Sequence, residues 1–317
     1  MKCNQCNANS VIRLPNNNIS LCNKHFTVYF EKKVRKTIRV YKMIDKQDYV
    51  GVAVSGGKDS LTLLYVLNRI FKPTKVKLIA LAIDEGIEGY RDPDLKYVKA
   101  FCKKLKIPLK TYSFKKEIGY NLDQITKKDK ETVPCTYCGV FRRKILNEKA
   151  LELGVNKLAT GHNLDDEAQS ILMNQFRKNI RASAIMGPVT GVKDDPKFIR
   201  RIKPLYFLTE KEVTTFAFLN NILDKFVECP NAQFGYRKYV QEMLNDFENK
   251  HPGTKHNIIS SFLSTLNLLK ESYKKSEIKE CKECGAATSK DVCRACVLLE
   301  RINNINKLFF LNIKNTK

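Results

Sequence analysis

The sequence predicts an α/β fold with a parallel sheet that is covered by helices on both faces. Apolar strand segments alternate with helical segments from residue 49 to residue 167, a pattern typical of βαβ units. Two consecutive glycines separate the first of these strands from its helix, and cysteine-rich segments lie near both ends of the chain. We therefore expect a central α/β domain flanked by N- and C-terminal metal-binding modules.

The expected elements follow from hydrophobic periodicity. Residues 26–46 carry apolar side chains at helical spacing among basic ones, which predicts a basic amphipathic helix before the sheet. The expected order is then strand 49–54, helix 61–70, strand 76–83, helix 95–105, strand 110–113, helix 139–153 and strand 157–160. Ligands of parallel sheets bind beyond the carboxyl ends of the strands. Ser55, Asp84 and Gly161 follow three of these ends, so they predict one shared site.

Composition narrows the class of protein. A chain of 317 residues with 43% hydrophobic content can form one large domain with small appendages. No segment is apolar enough to cross a membrane, and the N-terminus does not resemble a signal peptide, so we expect a cytoplasmic protein with no membrane partner. The 57 Lys and Arg exceed the 33 Asp and Glu and give a formal charge of +24. Such an excess favours a nucleic-acid partner.

The loop after the first strand has the features of an anion site. Gly56 and Gly57 allow positive φ and close backbone approach, so consecutive N–H groups can point into one concavity. The helix start adds its unpaired N–H groups and the positive end of its dipole. Lys58 adds a mobile charge, and Ser55 and Ser60 add hydroxyls. The spacing differs from the Walker pattern.

Two cysteine-rich segments each have the ligand spacing of a structural zinc site. Both are built from paired short turns that bring four ligands to a tetrahedron with no open position. Each segment is too short to fold on a core of its own, so metal binding would supply the folding energy. The first quartet is Cys3, Cys6, Cys22 and His25, and the second is Cys281, Cys284, Cys293 and Cys296.

Three further cysteines leave two interpretations open. Cys135 and Cys138 could form a redox pair or a persulfide carrier, with a low thiolate pKa as in other C-x-x-C motifs. Together with Cys229 they could instead hold an iron–sulfur cluster with one open iron. The spacing alone does not decide between these two chemistries. Cys102 lies in a predicted helix and is expected to be a packed core thiol.

The segment from Gly161 to Glu167 predicts a turn from a strand into a helix with acidic residues in its first turn. Asp165 and Asp166 could simply complement the helix dipole. Alternatively, a carboxylate here could hold Mg²⁺ beside the phosphates of a nucleotide. The basic segment 142–144 lies one turn after Cys138, and we expect it to face the nucleotide and the cysteines, although a solvated basic patch is the simpler alternative.

The hexapeptide Ser-Gly-Gly-Lys-Asp-Ser at 55–60 resembles the PP-loop of the ATP-pyrophosphatase superfamily. Over almost its whole length the chain resembles the archaeal and eukaryotic tRNA 2-thiouridine synthetases of the TtcA family. The matching blocks are the two zinc quartets, the PP-loop, Pro-Cys-x-x-Cys-Gly-x-x-Arg-Arg, Thr-Gly-His-Asn-Leu-Asp-Asp-Glu and Glu-Cys-Pro. The resemblance implies an adenine nucleotide alpha hydrolase-like sheet and a tRNA substrate.

In that family ATP adenylates the C2 oxygen of a uridine, pyrophosphate leaves, and sulfur displaces AMP. The resemblance implies a [4Fe–4S] cluster on Cys135, Cys138 and Cys229, whose fourth iron carries hydrosulfide without redox change. Catalytic roles are implied for Lys58, Asp59, Arg142 and Asp166, although the family often has lysine in place of Arg142. Contacts to ATP are implied for Ala53, Val54, Ser55, Gly56, Gly57, Lys58, Asp59, Ser60, Ile83, Arg142, Gly161 and Asp166.

Two competing functions account for the sequence less well. Other PP-loop enzymes, such as tRNA-lysidine synthases and glutamine-fed amidotransferases, do not require three additional cysteines. A zinc-ribbon tRNA-binding protein without catalysis would be expected to carry a damaged phosphate loop, whereas this loop is intact. Within the family, thiolation targets uridine 34 or uridine 54. Asparagine runs such as 16–18 are unusual for the hyperthermophiles that need position 54, so we favour position 34.

The expected cofactors are ATP, Mg²⁺, two Zn²⁺ and the cluster. Sulfur could come from sulfide or from a thiocarboxylated ubiquitin-like protein, and a homodimer is compatible with the sequence. We expect an N-terminal zinc finger at 1–30, a PP-loop catalytic domain at 31–245, a helical connector at 246–276 and a C-terminal zinc ribbon at 277–317.

Overall fold

The computed structural model describes residues 1–192, 195–222, 229–231, 236–273 and 278–314. Side chains are described for the same residues except residue 17 and residues 306–314. None of the helices within these ranges has the length and apolar character needed to cross a membrane.

The N-terminal module is a small antiparallel hairpin followed by a helix. Strand β1 (Ile12–Leu14) pairs with β2 (Ile19–Leu21). Helix α1 (Asn23–Val40) begins directly after Cys22 and buries Phe26, Phe30 and Val34. These side chains belong to the same hydrophobic core as the hairpin and the central sheet, so the module is packed onto the α/β region.

The central sheet has five parallel strands in the order β5-β4-β3-β6-β7. The crossover between β3 and β6 places the switch in strand order beside β3, where a parallel sheet opens a crevice for ligands. The strands are β3 (Tyr49–Val54), β4 (Lys77–Asp84), β5 (Leu109–Ser113), β6 (Lys157–Ala159) and β7 (Arg200–Ile202).

Helices connect and cover the strands, and those nearest the sheet pack on both of its faces. They are α2 (Lys58–Phe71), α3 (Arg91–Leu105), α4 (Phe114–Ile118), α5 (Leu122–Lys128), α6 (Pro134–Glu152), α7 (Leu164–Phe176), α8 (Ile180–Ala184), α9 (Glu210–Leu219), α10 (Tyr236–Lys250) and α11 (Thr254–Tyr273). The C-terminal module has the hairpin β8 (Lys279–Glu280) and β9 (Ala287–Thr288), then α12 (Arg294–Lys314).

Alternate residues of β4 face two different cores. Ala80 and Ala82 pack with α1, α2 and α9, whereas Ile79, Leu81 and Ile83 pack with α5, α6 and α12. Because side chains alternate across a strand, helices must cover both faces of this sheet. The α/β fold with helices on both faces is therefore confirmed. A third core joins α7, α10 and α11.

The largest error in the expected elements concerns α6. We predicted that this helix begins after Cys138, but it begins at Pro134 and includes both Cys135 and Cys138 in its first turn and a half. Proline is well suited to a first helical turn because it needs no hydrogen-bond acceptor there and its φ is already helical. The two cysteines therefore lie on a helix start, not in a separate turn.

Two smaller differences have local causes. The helix expected to reach residue 46 ends at Val40, because Lys42 adopts a left-handed conformation with φ of 47°. Strand β7 was not predicted, since a three-residue segment with two arginines has too few apolar residues to show a strand pattern. The domain boundaries at residues 30, 245 and 276 remain predictions.

Candidate active site

The PP-loop segment connects the end of β3 to the start of α2. Ser60 Oγ accepts a hydrogen bond from Ser55 N at 3.1 Å and donates one to Gly57 O at 3.0 Å. Gly56 has φ of +90°, and a Cβ there would lie 2.8 Å from the Cβ of Asp94. The loop therefore has a fixed backbone that only glycine fits at position 56. Its mouth lies at the positive end of the α2 dipole, as an anion site requires.

Lys58 and Asp59 form the charged part of the loop. Lys58 Nζ lies 2.9 Å from Glu210 Oε1 and 3.2 Å from Asp59 Oδ2. Asn163 Nδ2 donates to the other oxygen of Asp59 at 3.1 Å, and burial raises the pKa of Asp59. In this structure the ammonium of Lys58 is nearly buried between two carboxylates, so the mobile charge expected at Lys58 stays a prediction.

A second loop closes against the first. A Cβ at Gly161 would lie 2.8 Å from Ser60 N, so glycine is required where the loop after β6 touches the start of α2. Val54 and Ile83 are buried, and the carbonyl of Ile83 accepts a hydrogen bond from Arg91 Nε at 2.9 Å. A nucleotide could therefore reach these two strand ends mainly through backbone atoms. Ala53 precedes Val54 and is half-buried.

The three acids at the start of α7 have different surroundings. Asp165 is buried, pairs with Lys255 and accepts from Glu210 N at 2.8 Å. Glu167 is buried against Lys203 at 2.7 Å. Asp166 is about one third exposed at 32%, and its Oδ1 lies 3.5 Å from Arg237 Nη1. Of these three acids, only Asp166 is open to the cleft.

Asp166 also has a structural role. Its Oδ2 accepts from Asn163 N at 3.2 Å, which completes a capping box with the Asn163 side chain. Burial raises the pKa of Asp166 to about 6, and Asp59 contributes in the same direction. Asp166 therefore lies at a helix start, as both interpretations of the sequence require, with Oδ2 in the cap and Oδ1 beside Arg237. Its role as a dipole partner or as a cation ligand stays a prediction.

Arg142 connects the cysteine pair to the sheet. Its Nη2 donates to Cys138 Sγ at 3.1 Å and lies 2.7 Å from Glu85 Oε1. Burial opposes the charge of Arg142, but the Cys138 thiol and Glu85 raise its pKa. Lys144 does not face the same way, because it pairs with Glu148 and lies 3.9 Å from Cys284 Sγ. The expectation that 142–144 faces the cleft as a unit is therefore wrong at Lys144.

The three central cysteines are brought into one neighbourhood. Cys135 lies in the first turn of α6, and its Sγ is 3.6 Å from Asn231 O, two residues after Cys229. Burial raises the pKa of Cys138 to about 11, and the nearby Cys135 and Cys229 act in the same direction. Three free thiols beside a helix N-terminus are a donor set that suits an iron–sulfur cluster. The isolated Cys102 is buried in the core, as expected.

Both terminal quartets are assembled as the spacing predicted. The four ligand atoms of each quartet lie within 4.8 Å of one another. In the first quartet, Cys3 Sγ is 3.3 Å from His25 Nδ1 and Cys6 Sγ is 3.7 Å from Cys22 Sγ. In the second, Cys284 Sγ and Cys293 Sγ are also 3.7 Å apart. Four soft ligands at this spacing suit a closed tetrahedral zinc site.

Several residues at the site were not identified from the sequence. Their partners lie far away in the chain, so no local pattern marks them: Glu85 pairs with Arg142, Glu210 with Lys58, and Arg237 with Asp166. Arg91 is missed for the same reason, although it joins the carbonyls of Ser55 and Ile83.

The glycine loop between strand and helix, the second loop packed against it and the parallel sheet define a nucleotide-binding domain of the PP-loop class. The PP-loop domain family matches residues 27–239. The chain is 37% identical to the tRNA 2-thiolation protein NcsA of Haloferax volcanii, over 96% of this chain and 100% of that protein. It is 38% identical to the tRNA-5-methyluridine(54) 2-sulfurtransferase of Pyrococcus horikoshii, over 93% of each chain.

A solved structure has the same architecture. The U34-tRNA thiolase NcsA from Methanococcus maripaludis, determined with its [4Fe-4S] cluster, superimposes with a TM-score of 0.83 and 34% identity. The alignment covers 95% of this chain and 96% of that one. This chain belongs to the tRNA 2-thiolation proteins of the PP-loop family.

Proposed function

We propose that this chain uses ATP to replace the C2 oxygen of uridine 34 in tRNA with sulfur. Its family membership makes the chain a tRNA sulfurtransferase; the position of the uridine and the roles of individual residues are the further steps of the proposal. The observation that carries it is the link through Arg142, Glu85 and Arg91, which joins the cysteine pair of α6 to the carbonyl of Ser55 in the PP-loop. Sulfur chemistry and nucleotide chemistry therefore share one cleft.

The PP-loop side of the cleft handles the phosphates. When bound, ATP supplies the AMP group that turns the C2 oxygen into a leaving group. The N–H groups at the start of α2 bind the phosphates, and Lys58 leaves Glu210 to stabilise the charge that develops on pyrophosphate. Asp59 and Asp166 provide carboxylate oxygens for Mg²⁺. Gly161 allows the second loop to pack on the first and keeps these groups together.

The α6 side of the cleft handles sulfur. Cys135, Cys138 and Cys229 would hold a [4Fe–4S] cluster, which would supply a Lewis-acidic iron for the incoming sulfur. Arg142 donates to Cys138 Sγ, so it fixes the orientation of this thiolate and places a positive charge between the sulfur centre and the nucleotide. Proximity accounts for the rate advantage, with no change in oxidation state.

The terminal quartets have structural roles in this proposal. Each holds one Zn²⁺ with four protein ligands, which leaves no coordination position for a substrate. The first fixes the hairpin β1–β2 on α1, and the second fixes β8–β9 on α12. The sulfur is supplied as sulfide or by a thiocarboxylated ubiquitin-like protein.

Position 34 is favoured over position 54 by composition. Relatives that act at each position have similar identities to this chain, 34% for the U34 thiolase and 38% for the enzyme of uridine 54. The asparagine run at 16–18 is unusual for a protein of a hyperthermophile, in which thermolabile residues are depleted. Since thiolation at position 54 accompanies heat tolerance, the composition favours the wobble position.

Two matched tRNA transcripts test this assignment. Cytidine replaces uridine 34 in one and uridine 54 in the other, and each is incubated anaerobically with the protein, ATP, Mg²⁺ and sulfide. Mass spectrometry should find 2-thiouridine only in the transcript that retains uridine 34. Sulfur only in the transcript that retains uridine 54 would move the site to the T-loop. Sulfur in neither, although both bind, would favour a zinc-ribbon tRNA-binding protein without catalysis.

A further inference from the structure

Helix α6 and the segment leading into β7 are tied together through one side chain. Asn147 Nδ2 donates to Lys197 O at 2.8 Å, and Asn147 Oδ1 accepts from Ile199 N at 2.9 Å. Arg143 lies one helical turn before Asn147, and Arg201 lies two residues after Ile199. Residues four apart on a helix and two apart on a strand share a face. The two arginines are therefore brought together at the edge of the sheet.

Neither of these arginines has a carboxylate partner among the residues that the structure describes. By contrast, the neighbouring cations each have a carboxylate partner: Arg142 pairs with Glu85, Lys203 with Glu167 and Arg237 with Asp166. Within the described ranges, no hydrogen bond or ion pair engages the guanidinium of Arg143 or Arg201. Burial and the charge of Arg143 lower the pKa of Arg201 to about 10, which is consistent with their proximity.

The pair lies beside the sulfur centre. Arg143 follows Cys138 by little more than one turn of α6, and the thiol of Cys138 acts on its charge. His162 follows β6 and donates or accepts a hydrogen bond with Thr160 Oγ1 at 2.9 Å. Burial and cations that include both arginines lower the pKa of His162 to about 3. The ring is therefore neutral and offers a hydrogen bond without adding charge.

Two guanidinium groups without a counter-charge suit a phosphate group. Arginine binds phosphate oxygens with paired N–H donors, and such pairs are stronger than neutral hydrogen bonds. The pyrophosphate of ATP already has a binding place at the PP-loop with Lys58. We propose that Arg143 and Arg201 clamp one backbone phosphate of the tRNA next to the target uridine. This inference rests on the proposed function, since it places the RNA strand relative to the sulfur centre.

The salt dependence of tRNA binding tests the clamp. Full-length protein purified anaerobically is compared as wild type, Arg143→Ala, Arg201→Ala and the double variant, with Arg69→Ala as control. Arg69 is an arginine of α2 that pairs with Glu31 at 2.8 Å. Each lost phosphate contact makes the slope of log K against log salt less negative by about 0.7–0.9. Because both arginines contact the same phosphate, the double variant should show the full change in slope and each single variant a smaller one. Each single variant should bind tRNA about fivefold more weakly, and all variants should keep the wild-type Kd for ATP.

Other outcomes would overturn the assignment. A weaker affinity for ATP with unchanged tRNA binding would assign the pair to a nucleotide phosphate. The variants could instead bind tRNA and ATP as the wild type does, keep their zinc and melt at the wild-type temperature or above. Arg143 and Arg201 would then have no role in binding phosphate. Thiolation by the wild type is measured in parallel. If the wild type fails to thiolate but the slope still changes, the clamp stands and the proposed reaction fails.

Discussion

Glu85 Oε1 lies 2.7 Å from Arg142 Nη2, and this ion pair joins the carboxyl end of β4 to the helix that carries Cys135 and Cys138. The other carboxylate oxygen of Glu85 lies 2.8 Å from Arg91 Nε. Glu85 is almost completely buried, so two guanidinium groups balance its charge. The orientation of Arg142 towards the thiol of Cys138 therefore depends on a residue that need not touch the substrate.

Glu85→Gln should lower kcat for thiolation by about tenfold or more while changing the KM for ATP less, because Arg142 loses its anchor but the PP-loop keeps its backbone geometry. Steady-state kinetics with saturating tRNA would measure the two constants. Glu117→Gln is the matched control. Glu117 of α4 lies 3.1 Å from Lys149, which is on α6 but far from the two cysteines. Equal effects on kcat and on the KM for ATP would remove the positioning role.

Asp59→Asn should reduce the tRNA-dependent release of pyrophosphate by about 100-fold. The side chain keeps its shape and can still accept from Asn163, but Lys58 and the metal lose a carboxylate. Lys58→Met should have a similar effect. The exposed pair Lys250 and Asp246, 2.9 Å apart on α10, provides the controls Lys250→Met and Asp246→Asn. Wild-type release in either loop variant would remove the nucleotide site from this loop.

The protein should contain about two zinc ions per chain, one in each quartet. Cys3→Ser and Cys281→Ser should each lower the zinc content by about one ion and lower the Tm, because each short module lacks a large core of its own. Elemental analysis after gentle purification measures the loss. Cys102→Ala changes a buried thiol outside both quartets and should leave the zinc content unchanged. Zinc-free wild-type protein that is fully folded would contradict the assignment.

Anaerobic protein should be brown and carry about four irons per chain. Cys135→Ser, Cys138→Ser and Cys229→Ser should each lose both iron and thiolation but keep about two zinc ions, since their sulfurs belong to neither quartet. Iron analysis and the thiolation assay separate this from a persulfide mechanism. If the persulfide mechanism operates, iron-free protein would thiolate tRNA at the full rate, and mass spectrometry would detect a Cys135–Cys138 disulfide or a persulfide.

Asp166 should make thiolation and stability depend on pH in opposite directions. Burial raises the pKa of Asp166 to about 6. The nearby Arg237 lowers it, whereas Asp59 and Glu167 raise it further. The protonated carboxyl is therefore favoured in the folded chain, and the stability that it contributes is lost as the pH rises from about 4 through 6. In the proposed reaction the ionised form of Asp166 binds Mg²⁺, so the rate of adenylation should fall as the pH drops below about 6.

Asp166→Asn tests both parts of this prediction. The variant should lose adenylation and gain about 1 kcal/mol of stability at pH 8, after allowing for the partial exposure of the carboxyl. The gain should be smaller at pH 5, where the wild-type carboxyl is already largely protonated. Thermal melts at the two pH values measure the difference, and Asp246→Asn should show no such pH dependence. A variant that is destabilised equally at both values would argue for the helix cap alone.

The sequence allowed prediction of features that depend on local spacing. The PP-loop, the strand before it and the two quartets each occupy a short segment, so their geometry could be expected from residue order. The contacts of Lys58 could not, because Glu210 lies 152 positions away. The helical position of Cys135 was missed because the predicted helix began only at Gly139, although Pro134 suits the first turn of a helix. Ion pairs of the cleft form only when distant strand ends meet.

The contact between helix α6 and the C-terminal helix α12 has a consequence for the order in which the protein can fold. Asp129 accepts hydrogen bonds from Tyr137 of α6 at 2.6 Å and from Arg301 of α12 at 2.8 Å. Arg301 follows Asp129 by 172 positions, and the ribosome synthesises the chain from its N-terminus. The sheet and the PP-loop can therefore form while the partner of Asp129 is still missing. The contact between helix α6 and the C-terminal helix is therefore completed only after translation has reached Arg301, later than the synthesis of the sheet and the PP-loop.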